Sequence, residues 1–105
     1  MNASLPTVKF EELDRVIHER ARLAIVSALA PGDELSFQAL KGVVGLTDGN
    51  LSVHLRILEE AGYVAIRKSF VGRKPRTDLR LTEPGRKAFK AYLDVLERIV
   101  QRGKR

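Results

Sequence analysis

The stretch that most constrains this chain runs from Thr47 to Gly62, TDGNLSVHLRILEEAG, and passes directly into a basic segment ending at Arg80. The Thr47 hydroxyl can accept a free N–H of a helix start, and Asp48 then falls in the first turn, where the positive helix end favours it. Gly62 supplies a residue able to take the left-handed conformation that closes a helix. Leu51, Leu55 and Leu58 recur at i, i+4 and i+7, which lines one leucine stripe toward a core. The opposite face carries Gly49, Ser52, Val53 and Arg56, with Asn50 to one side. That face is small and polar over its first two turns, so a nucleic-acid groove can approach its backbone closely. These features predict a recognition helix.

Charge is distributed to match. Residues 1–60 hold six Lys/Arg against nine Asp/Glu, a net of −3, whereas residues 61–105 hold thirteen against four, a net of +9. Such asymmetry points to one end facing a polyanion. The length of 105 residues is expected to form one domain, residues 1–105. No apolar run approaches the ~20 residues of a membrane span, and MNASLPTVKFEELDR lacks the apolar middle of a signal peptide, so a cytoplasmic protein with no membrane partner is expected. The chain has no cysteine, which removes disulfides, thiolate metal sites and thiol switches. No cofactor and no metal are expected.

In chain order, residues 1–9 read as a poorly ordered start interrupted by Pro6. FEELDRVI (Phe10 to Ile17) has helical spacing and predicts a short first helix, with a bend at His18. ARLAIVSALA (Ala21 to Ala30) has apolar residues around much of its circumference and predicts a central, mostly buried helix stopped by Pro31-Gly32. Asp33 to Leu35 is a short extended piece. Ser36 caps a helix FQALKGVVG with Phe37, Leu40 and Val44 inward, and Gly45-Leu46 connects it tightly to the recognition helix. Two short helices so joined have helix-turn-helix spacing. After Gly62 the period changes from 3.6 to 2. In YVAIRK, Val64 and Ile66 alternate with Ala65 and Arg67; in TDLRL, Leu79 and Leu81 alternate with Asp78 and Arg80. SFVGRKPR between them is read as the turn region of a hairpin, with Gly72 and Pro75 as turn residues and Arg73, Lys74 and Arg76 as a basic tip. Thr82 then caps a long last helix to about Gln101, on which Phe89, Tyr92, Leu93, Leu96, Ile99 and Val100 form a wide apolar stripe. A small core cannot cover that length, so a second copy packing about a two-fold axis is expected.

The fold class is therefore α+β, mainly helical: a winged helix-turn-helix over about residues 10–81, with a two- to three-stranded antiparallel wing and a C-terminal dimerisation helix over 82–101. The motifs LTDGNLSVHLRILEEAGYV (Leu46 to Val64) and KSFVGRKPRTDLRLTEPG (Lys68 to Gly85) resemble the small winged-helix transcriptional regulators related to the MarR and ArsR groups. The resemblance covers about Leu13 to Val100. It implies a homodimer on double-stranded DNA, with the recognition helix in the major groove and the wing on the backbone or the adjacent minor groove. By position, Asp48, Gly49, Asn50, Ser52, Val53 and Arg56 match the groove-facing part, and Arg73, Lys74 and Arg76, with Thr77 beside them, match the wing. ArsR-type metal sensors use cysteine pairs or His/Asp/Glu clusters, and here only His18 and His54 are present among His and Cys. MarR-type proteins are usually longer, with more helix around a ligand pocket, and no effector site is legible.

Single residues carry simpler readings too. Arg56 could contact guanine O6 and N7, or pair with Glu60 at i+4. Asn50 and Ser52 are read as phosphate partners, because most protein–DNA hydrogen bonds go to the backbone. His54 is read as a packed or hydrogen-bonded residue at the edge of the leucine stripe. The paired acids Glu11-Glu12 and Glu59-Glu60 have no nucleophile or histidine beside them, and with no phosphate loop or nucleophile elbow an enzyme is not expected. The function read from the residues is a sequence-specific regulator of transcription, bound as a homodimer to a pseudo-palindromic operator. The competing reading is a winged-helix protein–protein interaction module without specific DNA binding, which the basic second half opposes.

Overall fold

The computed structural model describes residues 10–32 and 34–104. The expected loose start at residues 1–9, and Asp33 of the short extended piece, lie outside the described residues. Four helices and a three-stranded sheet follow in order: α1 (Arg20–Leu29), β1 (Leu35–Ser36), α2 (Phe37–Val44), α3 (Asp48–Glu60), β2 (Val64–Val71), β3 (Lys74–Leu81) and α4 (Glu83–Gly103). The sheet is antiparallel with strand order β1-β3-β2. This is a winged helix with a long C-terminal helix.

The helix starts are set by side-chain oxygens. Ser36 accepts from the Ala39 N–H, Thr47 from Asn50 and Thr82 from Gly85, each satisfying a donor that the first turn leaves free. The α3 terminus closes through Gly62 at φ 82, with the Gly62 N–H on Glu59 O and the Tyr63 N–H on Leu58 O. Leu51, Leu55 and Leu58 are buried as their spacing requires, each worth roughly 2 kcal/mol of removed apolar surface. They meet Ile25, Val26 and Leu29 of α1, Leu40 of α2, and Val64, Leu79 and Leu81 of the sheet in one core.

Three expectations are corrected. FEELDRVI does not form a helix: a 3-10 turn covers Phe10–Glu12 and the chain then bends. Asp14 Oδ1 accepts the N–H groups of Val16 and Ile17 at 2.8 and 3.0 Å, a local bond that competes with helical hydrogen bonding. Leu13 and Ile17 still reach the core. The hairpin is also longer and its turn tighter than expected. SFVGRKPR is mostly strand, and Gly72-Arg73 alone makes the turn, with Val71 paired to Lys74. Gly72 has φ 65 and, among the described residues, no non-glycine residue has positive φ, the pattern of a II′ hairpin turn. Pro75 is a strand residue, tolerated because β1 pairs only at Leu79 and Asp78 and leaves that edge of β3 open. In addition, α1 buries only Ile25, Val26 and Leu29, less than the central helix expected.

Helix α4 leaves the sheet at a close contact and runs past the N-terminal segment. Tyr92 is 2% exposed, its hydroxyl 2.8 Å from His18 Nδ1, and Val95 is buried beside it. Arg98 pairs with Glu12 at 2.7 Å. Near the helix start, the Arg86 guanidinium donates to the carbonyls of Ala30 and Gly32, holding the end of α1. The molecule measures 66 × 24 × 21 Å.

Tyr63 links the recognition helix to the N-terminal bend, its hydroxyl donating to Asp14 Oδ2 at 2.6 Å. That carboxylate, aided by partial burial, pushes the Tyr63 phenol up to about 12. A phenol raised from 10.0 on folding adds stability that is fully present below pH 10 and is lost as pH rises through about 12. Tyr63→Phe is expected to cost about 1 kcal/mol at pH 7, with the gap to wild type closing in alkali. Urea unfolding of both proteins from pH 7 to 12 checks this; a gap independent of pH would show that the bond does not set the phenol's titration.

Candidate nucleic-acid interface

Leucine burial on one side of α3 dictates what the other side presents. Gly49, Asn50, Ser52, Val53 and Arg56 are all exposed. A Cβ built on Gly49 meets nothing within 4 Å, so no packing inside the chain requires this glycine. Its cost of about 0.5–1 kcal/mol in a helix is not recovered there. Asp48 is turned to α2, its carboxylate 2.8 Å from Lys41 Nζ, so it joins the two helices and stabilises the start of α3.

The hairpin stands beside this face. Alternation along β2 and β3 puts Ile66, Lys68 and Phe70, opposite Leu79, Thr77 and Pro75, on one side of the sheet. That side faces α3 across a cleft of about 380 Å³, lined by Ser52, Arg56 and Glu59 from the helix and Ile66, Lys68 and Thr77 from the strands. Lys68 is therefore a site residue that reading by pattern placed on the strand YVAIRK but left out of the interface, although the Val64, Ile66, Lys68 alternation already carried the signal. Arg73 and Lys74 lie at the hairpin end, exposed. Among the described residues, Arg56, Lys68, Arg73 and Lys74 have no ion-pair partner, so Arg56 does not pair with Glu60.

Arg76 is different. It projects from the other sheet face and donates from Nε to Asp78 at 3.0 and 3.1 Å. Asp78 is 2% exposed, not the solvent-facing residue that simple alternation suggested, and it also receives Arg67 at 3.2 Å. Arg67 in turn grips Glu34 at 2.7 Å, and its guanidinium holds the Glu34 carboxyl below its usual value. This network fastens the base of the wing to the segment before β1. It engages the Arg76 charge within the chain, unlike those of Arg73 and Lys74.

His54 sits at the edge of α3, with Arg22 Nη1 at 3.2 Å and Glu19 Oε1 at 3.7 Å. Burial alone would raise the Glu19 carboxyl. The Arg22 N–H and the charges of His54 and Arg22 outweigh burial and hold it lower. On α4, Phe89 and Leu96 pack partly into the core and Tyr92 is buried in its own chain, while Leu93, Ile99 and Val100 are 44%, 37% and 47% exposed.

A family model described as a winged helix DNA-binding domain matches residues 21–100. The chain belongs to this family. An uncharacterized protein of Methanocaldococcus jannaschii is 37% identical over 79 residues, 75% of this winged-helix chain and 86% of the relative. The solved transcriptional regulator homologue from Pyrococcus horikoshii OT3 superposes with a TM-score of 0.79 at 32% identity, covering 84% of this chain and 87% of that one. The transcriptional repressor BigR from Xylella fastidiosa gives a TM-score of 0.63 at 29% identity, covering 83% and 79%. Regulators of the MarR and ArsR families share the fold at 20% and 16% identity.

Proposed function

We propose that this winged-helix protein is a sequence-specific, double-stranded-DNA-binding regulator of transcription that acts as a homodimer. The observation that carries the reading is the shared face of α3 and the wing. Exposed Gly49, Asn50, Ser52, Val53 and Arg56 stand beside Lys68, with Arg73 and Lys74 at the exposed end of the same hairpin, and among the described residues no ion pair neutralises these three charges. Cations left without partners are what counterion release from a phosphate backbone uses. A helix face built from small side chains admits the edges of bases in a major groove. The regulators among its relatives support the same reading.

In this arrangement α3 lies in the major groove. Arg56 and Asn50 meet base edges or phosphates, Val53 is available to a thymine methyl, and the wing follows the backbone. Asp48 positions the start of the helix, and Arg76 positions the wing. The exposed stripe of α4 joins two copies, setting half-sites about 34–36 Å apart on a pseudo-palindromic operator.

Fluorescence-anisotropy titration of random and selected duplexes at two salt concentrations tests this. Binding that discriminates by ~10³ or more and weakens with salt supports the regulator. No discrimination, or no binding at low salt, moves the protein to the class of protein–protein interaction modules. Within the same experiment, Arg73→Ala with Lys74→Ala is expected to weaken binding to every duplex and to lower the salt slope by about one for each phosphate left unneutralised. An unchanged slope would remove the wing from the interface.

A further inference from the structure

The wing carries an apolar feature that neither phosphate binding nor the core explains. Phe70 is 72% exposed and Val71 62% exposed, at the end of β2 where the hairpin projects beyond β1. Phe70 is paired across the ladder with Pro75, on the same sheet side as Lys68 and Thr77, which line the cleft against α3. Its ring therefore lies on the side of the recognition helix, one ladder position inside the unpaired Arg73 and Lys74 tip. An exposed apolar side chain alone is ordinary. A large one lying between Lys68 on its own sheet side and the cations at the hairpin end, on the side that faces the recognition helix, has the form of the wedges that DNA-bending proteins insert between base steps from the minor groove.

We propose that Phe70 is an apolar wedge that enters the minor groove beside the segment read by α3 and partly unstacks one base step, with Arg73 and Lys74 holding the flanking phosphates. The inference rests on the DNA-binding reading and extends it from charge to shape. The site would favour the flexible TA or CA/TG steps at the flank of each half-site, where unstacking costs least. A duplex is favoured over a single strand because the second candidate stacking ring, Tyr63, is only partly exposed and is tied to Asp14 at 2.6 Å. One ring without a companion makes no platform for successive bases.

The test uses the whole 105-residue chain and a duplex recovered by selection, carrying 2-aminopurine at the flanking steps. Wild type is expected to raise 2-aminopurine fluorescence at one step and to bend the duplex, read by end-to-end energy transfer. Phe70→Ala is expected to lose both signals and about 10-fold or more in affinity, with its salt slope unchanged, because no charge is removed. Phe70→Leu, which keeps an apolar wedge, is expected to retain most of the bend. The proposal is overturned if Phe70→Ala binds and bends within twofold of wild type, if affinity falls without any change at the 2-aminopurine step, or if the loss is equal on a single-stranded oligonucleotide. Wild type failing to bind any duplex at low salt overturns the DNA-binding reading and this inference with it. Wild type that binds without unstacking overturns the wedge alone.

Discussion

Replacing Gly85 with alanine is expected to destabilise the fold by about 3 kcal/mol. The added Cβ would sit 2.2 Å from the carbonyl oxygen of Tyr63, a clash with backbone and not with a side chain that can swing away. Nor is that carbonyl free to move. It accepts the Thr82 N–H at 3.0 Å, while the Tyr63 N–H closes α3 on Leu58 and its hydroxyl is held by Asp14. Helix propensity acts in the opposite direction, since alanine is better than glycine by about 1 kcal/mol in a helix. The sign of the result thus isolates the close approach. Gly42, in α2, meets nothing within 4 Å, so Gly42→Ala is the control and is expected to be neutral or slightly stabilising. Urea denaturation of both variants decides it. If the two substitutions had the same effect, α4 would not start against the turn between α3 and β2. Because that close approach sets the direction of α4, the Gly85 variant is also expected to weaken the proposed homodimer.

The second large effect is expected on the exposed stripe of α4. Leu93→Asp with Ile99→Asp should convert a dimer to a monomer and lower affinity for a two-half-site operator by about 100-fold or more, through loss of simultaneous engagement. Both positions are exposed in the single chain, so the substitution leaves the core of the monomer intact and its thermal unfolding should change little. Sedimentation at several concentrations separates the outcomes. A variant that remains dimeric would locate the interface elsewhere, and a wild type that sediments as a monomer would end the homodimer reading. Tyr92 is unsuitable for this test, because it is spent inside its own chain against His18.

Much of this architecture is legible in the residues because its causes are local. A hydroxyl at Ser36, Thr47 or Thr82 finds an N–H three residues on. Gly62 ends α3 through its own backbone freedom, and Leu51, Leu55 and Leu58 face inward whatever they meet. Alternation through Val64 and Ile66, and through Leu79 and Leu81, names the strands. The candidate interface was legible for the same reason: once one side of α3 is committed to the core, Gly49, Asn50, Ser52, Val53 and Arg56 have only the outside.

Where reading by pattern failed, a partner distant in the chain decided. FEELDRVI has helical spacing, yet Asp14 turns the chain and is itself held by Tyr63, 49 residues away. Asp78 alternates outward as expected but is buried, because Arg67 and Arg76 close over it and Glu34 anchors Arg67 from 33 residues away. Arg76 looked like one more wing-tip cation until that carboxylate engaged it. Tyr92 belonged by spacing to an outer stripe and became core through His18, 74 residues distant. Capping, turns and periodicity act within about one helical turn or one strand repeat, so residue types suffice to announce them. Which cation remains free for a partner, which aromatic ring is already buried and where a helix must begin at a glycine all depend on how the elements pack, and the tertiary structure alone sets that.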